Sequence, residues 1–176
     1  MSRFLTLGEV HLLGPVFGNT LNYRRIRCDI NKADVGGKGN SITPAGIAYM
    51  SRNYYCGDFA AKDVDAIAQW VFVHEMGHVW QWQHGRYPVN EAIGVYISKA
   101  GKYEQAYPYD LEPGKDLLDY NFEQQAAIIA DYWALLTKKL QPQYNRGQAK
   151  LADYSTVISQ LRSSGQPVPQ LDRIPI

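Results

Sequence analysis

Residues 63–84 are the segment that most constrains the fold of this 176-residue chain. Apolar side chains recur there with a helical period in two stripes, so that nearly every face of the predicted helix is apolar. Asp63 and Asp65 favour the positive amino-terminal end of such a helix, and Gly85 provides a stop after its last turn. Because a helix that is apolar nearly all round is buried inside its domain, we predict a central helix over these residues.

The amino-terminal part of the chain predicts one short helix and a small sheet. Thr6 begins a capping box, which predicts a helix that ends near Gly14. Residues 23–30 alternate between apolar and polar side chains, as in a half-buried strand. Residues 42–50 could return as a second strand, and Pro44 would limit that strand to an edge of the sheet. We expect the small sheet to be antiparallel.

The carboxy-terminal half predicts further helices. Residues 86–118 are rich in glycine, proline and tyrosine without a strong period, so we expect an irregular segment that shapes a site. Residues 122–140 and 148–161 have helical patterns, and residues 163–176 carry three prolines and predict an extended tail. We therefore expect a mostly helical α+β fold, with a single domain over residues 1–162.

Composition excludes several classes of protein. The formal net charge of +1 argues against nucleic acid or an anionic membrane surface as the main partner. No apolar run is long enough to cross a bilayer, and residues 1–6 are not followed by the apolar region of a signal peptide. Two cysteines, Cys28 and Cys56, are too few for a disulfide scaffold, although one disulfide or two free thiols remain open.

His74, Glu75 and His78 form the pattern that carries chemistry. Four residues of helix advance the side-chain direction by about 400°, so the two histidines lie one turn apart on the same face. Their imidazoles can bind one divalent cation, and Glu75 can reach a water molecule beside it. This spacing is the zincin signature, and it predicts Zn²⁺ as the cofactor with Glu75 as the catalytic base. The alternative is a pair of core histidines satisfied by hydrogen bonds.

A catalytic zinc site needs a third protein ligand. His84 has the spacing of the metzincin motif, in which a third histidine follows six residues after His78. That motif needs a glycine where this chain has Gln81, because the chain must turn back there, and it needs a methionine downstream, which this chain lacks. An unbroken helix would also turn His84 away from the other two histidines.

A glutamate on a later helix is the other possibility, as in gluzincins. The downstream glutamates are Glu91, Glu104, Glu112 and Glu123. Glu123 is favoured because it lies in the first turn of a predicted helix, where small residues follow that would let two helices approach closely. Asp131, two turns later, could accept a hydrogen bond from the second nitrogen of a ligand histidine. We therefore predict His74, His78 and Glu123 as the metal ligands.

Residues 72–81, FVHEMGHVWQ, resemble the active-site helix of a known family. These are the zinc metallopeptidase effector domains at the carboxy terminus of some type VI secretion spike proteins, together with stand-alone bacterial proteins related to those spikes. Similar blocks extend the resemblance over about residues 4–135, and they lie at residues 5–9, 16–18, 42–46 and 121–126.

The resemblance implies a zincin-like, gluzincin-type α+β domain that acts as a toxin. By motif position it assigns His74, His78 and Glu123 as zinc ligands and Glu75 as the catalytic residue. It further implies delivery by the type VI secretion machine, without a signal peptide, into a neighbouring cell and its periplasm. A spike protein and an immunity protein would then be partners, besides a peptide or protein substrate that includes cell-envelope targets.

The expected reaction is hydrolysis of a peptide or amide bond, in which Glu75 takes a proton from water and passes it to the leaving nitrogen. A tyrosine of the middle segment could stabilise the oxyanion, and the candidates are Tyr87, Tyr107, Tyr109 and Tyr120. The strand near residues 45–50 could hold an extended substrate by edge pairing. Two alternatives remain open: a non-catalytic binding module that contains zinc, and a cell-wall amidase or endopeptidase.

Overall fold

A computed structural model describes residues 2–31, 40–86 and 103–163, and residue 165. The strands are β1 (Arg3–Phe4), β2 (Arg27–Ile30) and β3 (Ile47–Met50). The helices are α1 (Leu7–Phe17), α2 (Ala66–Gln83), α3 (Phe122–Thr137) and α4 (Leu151–Ser163). Short 3₁₀ turns lie at Tyr23–Arg25, Pro44–Gly46, Tyr103–Ala106 and Leu117–Asp119. The expectation of a mostly helical α+β fold with a small sheet is confirmed.

The sheet has the order β1-β2-β3 and is mixed, so the expectation of an antiparallel sheet is wrong for one pair. β1 and β2 are antiparallel, whereas β2 and β3 are parallel. The reason is the turn at Pro44–Gly46, which reverses the chain after Ile42 and starts β3 in the direction of β2. Strand β3 is one of the two edges of the sheet, and it is partly covered because Ile42 bridges Tyr49 in antiparallel fashion.

Helix α1 starts at the predicted capping box but runs past its predicted end. The Thr6 side chain accepts from the amide of Glu9, and the Glu9 carboxylate accepts from the amide of Thr6. The helix continues through Pro15 to Phe17, although an internal proline costs about 3 kcal/mol. Val16 and Phe17 are fully buried in the core, and their burial offsets this cost.

Helix α2 runs through the centre of the domain, as its apolar pattern predicts. Every residue from Phe72 to Gln81 is buried. The helix begins at Ala66 because Asp65 is the N-cap, whose carboxylate accepts from the amide of Ile67. After the helix, Gly85 has a φ of +77°, which a glycine adopts without strain.

Helix α3 begins where predicted, with Asn121 and Gln124 forming a capping box. It ends at Thr137, three residues earlier than residue 140, because Lys138 adopts a left-handed conformation and its amide caps the last turn. Helix α4 is shifted by two to three residues from the predicted 148–161. The predicted tail lies outside the described residues apart from Ser163 and Gly165. No described helix has the length and apolar character needed to span a membrane.

The cysteines are both free thiols in the structure, which answers the alternative left open by the sequence. Cys28 lies on β2 and is fully buried, and its burial raises the pKa of the thiol to about 12. A thiol in this environment is protonated at neutral pH and behaves as a small apolar core residue.

Candidate metal centre

Three buried side chains from two helices bring their ligand atoms together. His74 and His78 project from α2, and Glu123 projects from the first turn of α3. The Glu123 Oε2 atom lies 3.0 Å from His74 Nε2 and 3.2 Å from His78 Nε2, and the two Nε2 atoms are 3.2 Å apart. Each of the three residues is about 95% buried. The structure thus brings Glu123, the predicted third ligand, together with the two histidines.

The two helices can approach this closely because Gly77 faces Ala126. Gly77 lies between the two histidines on α2, and Ala126 lies one turn after Glu123 on α3. A Cβ atom at position 77 would lie only 3.1 Å from the Ala126 Cα atom and 3.2 Å from its Cβ atom. Ala126, one of the small residues that suggested a close helix contact in the sequence, therefore makes that contact here.

The donor set and its spacing fit a divalent cation. Two imidazole nitrogens and one carboxylate oxygen are a common protein ligand set for catalytic zinc. Tetrahedral zinc with bonds of about 2.0–2.1 Å separates its ligand atoms by roughly 3.3 Å. The observed separations of 3.0–3.2 Å are close to that value. The His74, His78 and Glu123 group could therefore hold a metal ion.

The charges of this group are strongly coupled. Burial lowers the pKa of His78, but the Glu123 charge and its hydrogen bond outweigh that effect and raise the pKa to about 9. Burial likewise raises the pKa of Glu123, but His78 and His74 outweigh it and hold the pKa well below its usual range. In the absence of a metal, a carboxylate and a protonated imidazole therefore stabilise each other inside the protein.

Glu75 lies next to this group on α2 and is also buried. Its Oε2 atom accepts a hydrogen bond of 2.6 Å from the hydroxyl of Thr43, at the turn before β3. Burial raises the pKa of Glu75, while the charges of His78 and His74 and the Thr43 hydrogen bond act in the opposite direction. A carboxylate with a raised pKa holds a proton more readily than an ordinary carboxylate, which suits a group that accepts and releases protons.

The role predicted for Asp131 is wrong. Its carboxylate accepts hydrogen bonds from Trp70 Nε1, from the Tyr109 hydroxyl, and from the backbone amides of residues 143 and 144. These donors use its acceptor sites, and none of them is a histidine. Asp131 instead holds the Trp70 ring, which stacks on the His74 ring at a centroid distance of 5.4 Å. It therefore acts on a ligand histidine through an aromatic neighbour.

The alternative third ligands lie elsewhere or outside the described residues. His84 caps the end of α2, where its Nδ1 atom bonds to the Trp80 carbonyl, and it is not part of the metal-capable group. Glu112 is exposed and pairs with a lysine three residues on. Glu91 and the side chain of Glu104 lie outside the described part of the chain.

Of the tyrosines suggested as oxyanion donors, one lies beside the metal-capable group. The Tyr107 ring is 5.8 Å from the His74 ring. The hydroxyls of Tyr109 and Tyr120 already donate to a carboxylate and to a backbone carbonyl. Tyr87 lies outside the described residues.

Two polar residues at the site were not found from the sequence. Thr43 contacts Glu75, and the Gln81 Oε1 atom lies 2.8 Å from His78 Nδ1. Gln81 did give a signal, because an uncharged polar residue on an otherwise buried apolar helix needs a buried partner. Thr43 lies in the block of residues 42–46 that resembles the family, but no local pattern connects it with Glu75, since the contact joins segments that are 32 residues apart.

Comparisons with known proteins identify the family of this chain. No protein-family model matches the chain. The chain is 36% identical over 141 residues to the type VI secretion system spike protein VgrG2b of Pseudomonas aeruginosa, a match that covers 74% of this chain and 13% of that protein. It also resembles the solved effector domain of Pseudomonas aeruginosa VgrG2b, with a TM-score of 0.67 and 31% identity over 90% of this chain and 83% of that one. The chain therefore belongs to the family of the VgrG2b effector domain.

Proposed function

We propose that this protein is a zinc-dependent peptidase of the gluzincin type, with a zincin-like fold. The observation that carries the proposal is the convergence of His74 Nε2, His78 Nε2 and Glu123 Oε2 beside the buried carboxylate of Glu75. Two neutral imidazoles and one carboxylate would hold zinc with three protein ligands, and catalysis requires that a fourth position stay free for water or substrate. A purely structural site has no use for a buried base at position 75.

The proposed roles of the residues follow from their chemistry. When bound, zinc would supply Lewis acidity towards a carbonyl oxygen and towards water. His74, His78 and Glu123 would hold it. Glu75 would accept a proton from the attacking water and deliver a proton to the leaving nitrogen. Tyr107 is our candidate for a hydrogen-bond donor to the developing oxyanion, because its ring lies next to His74.

We further propose that the protein is a toxin of a type VI secretion system. The support is the family relation to the effector domain of a spike protein. The chain spans 13% of the length of that spike protein, so association with a spike, an immunity protein and action in a periplasm are all parts of the proposal. A single catalytic domain over residues 1–162, with an extended tail after it, completes this picture.

The test combines metal analysis with hydrolysis. The purified protein should contain one zinc per chain and cleave members of a broad peptide library. Glu75→Gln should keep the zinc and lose the hydrolysis, because the amide cannot accept the proton. Turnover in Glu75→Gln equal to that of the wild type would remove Glu75 from its role, and a zinc-loaded wild type that cleaves no peptide and no cell-wall amide would favour a binding module.

A further inference from the structure

We propose that Gln81 is a positioning residue that keeps the proton of His78 on Nδ1 and thereby directs the bare Nε2 atom at the metal. The inference concerns the metal ligands and so rests on the proposed function. It arises from the direction of a chain of buried hydrogen bonds that runs away from the metal-capable group.

The orientation of the Gln81 amide is fixed by its neighbours. Its nitrogen lies 2.8 Å from the backbone carbonyl of Phe122 and 3.0 Å from Gln125 Oε1. A backbone carbonyl can only accept a hydrogen bond, so the Gln81 group that faces it must be the NH₂ group. The Gln81 Oε1 atom is then the one that lies 2.8 Å from His78 Nδ1. Because an amide oxygen can only accept, His78 Nδ1 must donate.

The same reasoning fixes the next amide in the chain. Gln125 Nε2 donates to the backbone carbonyl of Tyr120 at 2.6 Å, so Gln125 Oε1 is available to accept from Gln81. Gln81 and Gln125 are both fully buried. Rotating the Gln81 amide by 180° would therefore oppose acceptor to acceptor at two buried contacts, where water cannot replace the lost hydrogen bonds.

These hydrogen bonds, from Gln81 and Gln125 to their neighbours, determine which nitrogen of His78 can bind a metal. A neutral imidazole carries one proton, so a proton held on Nδ1 leaves a lone pair on His78 Nε2. That Nε2 atom faces His74 Nε2 and Glu123 Oε2. In the zinc-free protein His78 carries a proton on each nitrogen, and the hydrogen bond to Gln81 ensures that the metal displaces the proton on Nε2 and not the one on Nδ1.

The second ligand histidine is held differently. His74 Nδ1 is buried and has no hydrogen-bond partner among the described residues. Its ring is oriented instead by packing against Trp70 and Tyr107. The two histidines therefore depend on different neighbours, and loss of the Gln81 acceptor should act on His78 alone.

The first test measures the proton directly. In the ¹⁵N-labelled, zinc-loaded full-length protein, two-bond ¹H–¹⁵N correlation spectra should show His78 with a protonated Nδ1 and a metal-bound Nε2. Zinc on Nδ1, or a proton on Nε2, would overturn the inference. This measurement needs no variant, so it stands even if substitution of a buried glutamine impairs folding.

The second test measures the effect on zinc. Gln81→Met keeps the length of the side chain but removes the acceptor, and we expect zinc affinity, measured by competition with a chromophoric chelator, to fall about 10–100-fold. Gln83→Met is the matched control, because Gln83 lies on the same helix and its amide bonds to the backbone of Asn22. Its affinity should stay at the wild-type value.

The outcomes separate this inference from the peptidase proposal. Wild-type affinity in Gln81→Met would overturn the role of Gln81 even in an active enzyme. The expected tautomer and affinity loss in a protein that hydrolyses nothing would uphold the inference while the peptidase proposal fails. A wild type that binds no zinc would overturn both.

Discussion

Gly77→Ala tests the helix contact on which the metal site depends. The added Cβ atom would lie 3.1 Å from the Ala126 Cα atom and 3.2 Å from its Cβ atom. Carbon atoms in contact rest at about 3.5–4.0 Å, so α2 and α3 would have to separate by roughly half an ångström. The atom opposite is backbone, which cannot rotate away as a flexible side chain would. The distance from zinc to a ligand atom can vary by only about 0.2 Å. The separation of the helices should therefore move Glu123 out of bonding range of a zinc ion held by the two histidines.

The expected change in the free energy of unfolding is the sum of two opposing effects. Overpacking of a core costs about 1–3 kcal/mol, whereas replacing glycine by alanine in a helix gains about 1 kcal/mol. We therefore expect zinc-free Gly77→Ala to lose roughly 0–2 kcal/mol in its free energy of unfolding. Zinc affinity should fall at least tenfold, comparable with the loss of a residue that orients a metal ligand.

The assay is competition with a chelator for zinc, together with urea unfolding of the zinc-free protein. Ala126→Gly is the matched control, because it costs about 1 kcal/mol in helix propensity yet adds no atom between the helices. It should lose stability and keep its zinc affinity. Zinc affinity in Gly77→Ala equal to that of the wild type would refute the claim that this contact sets the ligand geometry.

Three further expectations concern individual residues and pH. Thr43→Val removes the hydroxyl that donates to Glu75, so kcat should fall about tenfold at unchanged zinc content. Thr43→Ser keeps a hydroxyl and should retain the wild-type kcat. A kcat of Thr43→Val equal to that of the wild type would contradict the role of the Thr43 hydroxyl. Asp131→Asn leaves two of its four donors without an acceptor, so urea unfolding should show a loss of about 2–5 kcal/mol, and a loss below ~1 kcal/mol would contradict this. The raised pKa of His78 stabilises the zinc-free protein fully below pH 6.5, and this contribution is lost as the pH rises through about 9. The lowered pKa of Glu123 stabilises it above about pH 4.5 and is lost as the pH falls. A urea midpoint of the zinc-free protein that rises between pH 6.5 and pH 9 would contradict the raised pKa of His78.

Local sequence signals predicted the parts of the fold that depend on neighbouring residues. The capping boxes at Thr6 and Asn121 start α1 and α3 as expected, because a cap is a contact between residues three apart. The end of α1 depends instead on burial of Phe17 against distant parts of the chain. The end of α3 is the left-handed cap at Lys138, and beyond it the chain is held against the helix by the amides of residues 143 and 144, which donate to Asp131.

The residues of the candidate site likewise separate into those that a local sequence pattern predicts and those that it does not. The spacing of His74, Glu75 and His78 is a property of one helix, and Glu123 could be singled out by its place in the first turn of another. The direction in which Asp131 points depends on how α3 is rotated against α2, which no local pattern encodes. Thr43 comes from a turn before β3, and its distance from Glu75 in the chain hid it as well.

Anomalous diffraction at the zinc edge from crystals of the zinc-loaded protein tests the central claim most directly. We expect a single strong peak at about 2.0–2.2 Å from His74 Nε2, His78 Nε2 and a Glu123 carboxylate oxygen, with one position open to solvent. A peak bound by other residues, or a fourth protein ligand that closes the site, would contradict the account.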